Sequence, residues 1–84
     1  MDRIAAIRDR LEAAFSPDLL EIEDQSWMHA GHAGAKQGGH FLVRMTSGVF
    51  GGKKTLERHR MVYSALDGLM KTEIHALTLE LSEA

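Results

Sequence analysis

Apolar residues in the first fifteen positions recur at helical spacing. Ile4, Ile7, Leu11 and Phe15 form one stripe, and Arg3, Arg8, Asp9, Arg10 and Glu12 fall mostly between them, which predicts an amphipathic helix. Ser16-Pro17-Asp18 ends it, because proline disfavours the helical region for the residue before it. From Leu20 to Asp24 apolar and acidic residues alternate, the pattern of a strand with one wet face. The stretch Ala30 to Gly39, with four glycines and little to pack, predicts a loop. Alternation resumes from His40 to Thr46, with Phe41, Val43 and Met45 on one face and Leu42 and Arg44 on the other. The two strands are therefore expected to pair as a hairpin.

Ser47 to Gly52 is a second glycine-rich turn. Its Gly48-Val49-Phe50-Gly51 spells GxxG, but a backbone clamp of that kind joins two helices, and this one follows a strand. It reads as turn chemistry that supplies positive φ. Thr55 is the expected cap of a helix running to about Met70, with Val62, Leu66 and Leu69 as its apolar stripe. Leu56, Tyr63 and Met70 widen that stripe, and Gly68 weakens the last turn. Ile74 to Leu81 alternates again, with Leu77, Leu79 and Leu81 on one side. Helix, strand, strand, helix, strand is an α+β order whose simplest packing sets the helices on one face of a three-stranded sheet.

Size and charge narrow the functions. Eighty-four residues make a single domain, spanning 1–84, with a thin core; such a chain buries only roughly 60–65% of its unfolded surface. The formal charge of −2 supplies no overall basic character for nucleic acid. With no cysteine there is no disulfide and no thiolate ligand or nucleophile, which fits a reducing cytoplasm. Met1 to Phe15 lacks the apolar run of a signal peptide, and no stretch approaches the ~20 apolar residues of a membrane span. A cytoplasmic protein away from membranes is the expectation. Glu21, Glu23 and Asp24 alternate along a strand and read as a solvated face rather than an acid–base pair. No Ser/His/Asp set, phosphate loop or zinc box appears, so no enzyme is expected.

Several segments resemble the BolA family. Phe50-Gly51-Gly52-Lys53 followed by Leu56-Glu57-Arg58-His59-Arg60-Met61-Val62-Tyr63-Ser64-Ala65-Leu66 is similar to its central motif, and Ile74-His75-Ala76-Leu77-Thr78-Leu79 to its "HAL" strand. Leu20 to Ser26, the loop with His29, and Gly39-His40-Phe41 resemble its first hairpin. The likeness spans nearly the whole chain in the family's order. It implies an αββααβ fold like the class II KH domain, with a mixed sheet and a helix-turn-helix-like unit. It also implies partnership with a monothiol glutaredoxin and a [2Fe-2S] cluster shared with that partner and glutathione, none being held by the isolated protein. Some members are regarded as transcriptional regulators, so DNA is the alternative partner. A homodimer is also admitted.

The candidate residues follow from this likeness and from the composition. Five histidines accompany the absence of cysteine, and imidazole can replace thiolate on one iron of a [2Fe-2S] cluster. His75 matches the histidine the family offers as a ligand; by pleat parity with Leu77 and Leu79 it would equally cap the core edge. His29 matches the family's loop ligand position, with a solvated loop residue as the other reading, and His32 is its substitute. His40 heads a strand and reads as structural or exposed, and Trp27 and Met28 as filler beside His29. Lys53, Lys54, Arg58, His59 and Arg60 form a local basic cluster. It reads as a solvated helix face, a partner surface or a DNA backbone contact.

Overall fold

The computed structural model describes residues 2–26 and 38–84. Helix α1 (Arg3–Phe15) starts where Asp2 accepts a hydrogen bond from the Ala5 amide, 3.1 Å, an N-cap that satisfies one otherwise unbonded donor. It ends at Ser16, which takes the left-handed conformation (φ 41°) and donates to the Glu12 carbonyl. Ile7, Leu11 and Phe15 are buried, so the expected stripe faces the core.

The sheet holds β1 (Leu19–Asp24), β2 (Gly39–Thr46) and β3 (Ile74–Ser82) in the order β1-β2-β3. Strands β1 and β2 are antiparallel, with Leu20 opposite Met45 and Ile22 opposite Val43. Strands β2 and β3 are parallel, with Phe41 opposite Leu77 and Val43 opposite Leu79. A parallel pair needs a crossover, here a 3₁₀ turn (Gly48–Phe50), α2 (Thr55–Ala65) and α3 (Leu69–Thr72).

The middle strand carries the centre of the core. Phe41, Val43 and Met45 have no solvent exposure, and they pack with Ile7, Leu11, Phe15, Phe50, Val62, Leu66, Leu69 and Ile74. All the helical members lie on this one face. The opposite face keeps its polar side chains: Arg44 spans the sheet, its Nε 3.1 Å from Glu80 and its Nη1 3.2 Å from Glu21. These bonds raise the Arg44 pKa further above its already high value. Ser47 closes the end of β2 beneath α1. Its buried hydroxyl donates to the Phe15 carbonyl at 2.6 Å, and its amide donates to the Ser82 carbonyl.

Several sequence expectations need correction. Helix α2 does not run to Met70: it ends at Ala65, and α3 begins only after Gly68, whose φ of 89° no helix accommodates. Lys54, without a side-chain cap, precedes α2, and Thr55 is its first residue. Leu56 (62% exposed) and Tyr63 point to solvent instead of widening the core stripe, because the sheet and α1 cover only the α2 face bearing Val62 and Ala65. The positive φ of the second turn falls at Gly52, outside the GxxG.

Candidate functional site

The two ends of β3 carry the candidate residues. At its start the pairing with β2 slips: Gly39 faces Ile74, but His40 faces Ala76. His75 is the extra residue of a bulge. The slip puts Ile74, 2% exposed, and Leu77 both toward the core, although an odd number of steps separates them. His75 is left exposed. The parity that would have made it a cap on the core edge is therefore broken by one inserted residue.

Glycine makes the neighbourhood of His75 feasible. Gly38 has φ 131°, and a Cβ there would lie 2.8 Å from the Glu73 carbonyl carbon and 3.0 Å from the His75 nitrogen. The Gly39 amide donates to the Glu73 carbonyl, 3.1 Å. Across β2, the His40 amide donates to Ser26 Oγ and the Gln25 amide to the His40 carbonyl. Of the two residues that bound segment 27–37, Ser26 is thus bonded to the start of β2, and Gly38 packs against the backbone from Glu73 to His75. His29, His32, Trp27 and Met28 lie outside the described residues. Among the described residues, no three histidine, aspartate or glutamate side chains converge to hold a metal.

Charged groups brace this junction. Arg3 Nε lies 3.1 Å from Glu73 Oε1. Asp24 accepts from the Ser26 amide at 2.8 Å, and its carboxyl is held below the ordinary 3.8, first by the Ser26 hydroxyl, then by that amide and nearby Arg3. His40, half-buried on the open face, has Nε2 3.1 Å from Thr78 Oγ1, which agrees with a structural role.

At the other end of β3 the expected basic cluster is divided. Arg58 and Arg60 are two residues apart on α2, roughly 200° around its axis. Arg58 turns inward: its side chain is 18% exposed, and its guanidinium lies over the Phe50 ring at 5.9 Å. Phe50 stacks in turn on Phe15, with centroids 5.1 Å apart. Arg60 turns outward at the rim of an apolar groove lined by Ala14, Phe15, Met61, Ser64 and Ala65. Lys54 is exposed, whereas Lys53 and His59 are half-buried. Five neighbours in sequence do not make one continuous cationic surface. Sequence reasoning passed over Glu83, which approaches Arg58, and Gly38; neither had a local signal, because each matters through a partner far along the chain.

Residues 11–83 match the BolA-like protein family. The chain is 44% identical over 73 residues to the DNA-binding transcriptional regulator BolA of Escherichia coli (strain K12), covering 87% of this chain and 68% of that protein. To SufE-like protein 1, chloroplastic/mitochondrial, of Arabidopsis thaliana it is 39% identical over 79 residues, covering 87% of this chain and 21% of that protein. The chain thus spans about a fifth of the length of that larger relative. The BolA domain of SufE1 from Arabidopsis thaliana superposes with a TM-score of 0.88 at 38% identity, covering 99% of this chain and 93% of that one. With matching sequence over most of its length and a matching arrangement of helices and sheet, the chain belongs to the BolA-like protein family.

Proposed function

We propose that the protein is an iron–sulfur trafficking adaptor that binds a monothiol glutaredoxin and helps hold a [2Fe-2S] cluster as shared cargo. The observation that carries this reading is the bulge that presents His75 at the surface beside Gly38, the residue that follows segment 27–37. An exposed imidazole suits the role, because a neutral ring nitrogen ligates iron in place of thiolate. His75 is the one donor the described residues contribute, and His29 or His32 supplies the second. The remaining ligands, cysteine and glutathione sulfur, come from the partner.

The test is an absorption and circular dichroism spectrum of the protein mixed with a monothiol glutaredoxin, iron, sulfide and glutathione. The expected spectrum differs from that of the glutaredoxin alone and reverts to it in the His75→Ala variant. An unchanged spectrum in the joint His75→Ala, His29→Ala variant sinks the reading.

A second reading is favoured by the Escherichia coli relative, named a DNA-binding transcriptional regulator. Here Lys54 and Arg60, the exposed cations of the α2 region, contact phosphates. Duplex binding should fall steeply with salt and weaken when both are neutralised. Absence of a mobility shift with micromolar protein at low salt removes this second function.

A further inference from the structure

Arg58 is an arginine without a hydrogen-bond acceptor at its most enclosed donor. Its Nε is shut away from solvent and finds no partner among the described residues. A guanidinium carries five donors and no acceptor, and a buried donor left unbonded costs free energy comparable to a lost hydrogen bond. Packing of the arginine stem and the Phe50 ring explains why the side chain lies inward. That packing leaves Nε unmatched.

The anion beside it is Glu83. Oε1 of Glu83 stands 3.9 Å from Arg58 Nη2, close enough for attraction and too far for a hydrogen bond. Oε2 abuts Gly51, where a Cβ would come within 3.3 Å of it. Glu83 is itself 58% exposed and follows Ser82, the last residue of the β3 ladder, so little else holds its carboxylate there. A carboxylate thus rests loosely in a seat walled by a guanidinium and a glycine.

We propose that Arg58 is a receptor for a carboxylate supplied by an acidic side chain of a protein partner, and that Glu83 is its built-in competitor. The planar fork of the guanidinium matches a two-oxygen acceptor. The lack of a side chain at Gly51 leaves room for the carboxylate that already rests there. The seat lies at the end of β3 opposite His75, so it stands independently of the cluster reading.

The experiment follows Arg58 Nε–H and the Gly51 amide by nitrogen-15 NMR in the full chain. A glutamate-rich peptide, inorganic phosphate and a short DNA duplex are titrated in turn at constant ionic strength. Glu83→Gln should bind the peptide about two- to fivefold more tightly than the parent chain, the factor a partly exposed ion pair withholds. Arg58→Lys, which keeps a stem over Phe50, should lose that gain in the Glu83→Gln background while the Val43 methyl signals show the core intact. Equal peptide affinity with and without Glu83 overturns the proposal. So does a response at Lys53 and Lys54 alone, or tighter binding of phosphate or duplex at Arg58.

Discussion

The two ends of β3 lie about 25 Å apart at the usual rise of a strand, and they are built in opposite ways. At the Ser82 end, Phe50 stacks on Phe15, Arg58 lies over Phe50, and Ser47 ties β2 to α1 and β3 through two hydrogen bonds. Burial decides that geometry. At the Ile74 end, the ladder slips by one residue, a glycine passes against the backbone of Glu73 to His75, and the histidine is left exposed. Backbone hydrogen bonds and the absence of a Cβ decide it. The same strand therefore has one end set by side-chain packing and another set by backbone geometry that leaves a histidine exposed.

The largest effect that would sharpen this contrast is at the packed end. Phe50→Ala removes a fully buried ring and should cost about 3–5 kcal/mol in urea denaturation. A cost below about 1 kcal/mol would mean that the packed end is not what holds the domain. Next comes Gly38→Ala, which forces a side chain against backbone atoms at positive φ and should cost about 2–3 kcal/mol. Its largest amide shifts should fall at Glu73 and His75, and shifts centred elsewhere would break the link between Gly38 and the histidine.

His75→Ala should cost far less stability than Phe50→Ala, because the residue is exposed at a bulge. A loss comparable to that of Phe50→Ala would restore His75 to the core and erase the distinction between the ends. The smallest effect is at Asp24. Its folded pKa lies below the ordinary 3.8, so the stability it contributes is fully present above about pH 5 and is lost as pH falls through the folded value. The stability difference between the parent chain and Asp24→Asn should therefore be constant near neutrality and vanish on acidification. A difference that grows on acidification would contradict the assigned hydrogen bonds.

Much of the architecture was legible in the order of residues. Ile7, Leu11 and Phe15 at steps of four, and Phe41, Val43 and Met45 at steps of two, each declare an element and its buried face, because both periodicities arise within a single segment. The motif from Phe50 to Leu66 and the strand from Ile74 carried the family likeness, and the family match over residues 11–83 agrees. What only the tertiary structure decided depends on partners distant in sequence. Alternation from Ile74 onward assigns His75 to the side of Leu77, and only pairing with β2 reveals the inserted residue that turns it outward. Helical spacing allowed Leu56 and Tyr63 into the core stripe, and only the limited reach of the sheet and α1 leaves them in solvent. Five basic neighbours read as one surface until Phe50 and Glu83, from other elements, draw Arg58 inward and leave Arg60 facing water. A periodic pattern specifies which side of an element is apolar, whereas the fate of each remaining side chain is set by what the rest of the chain places opposite it.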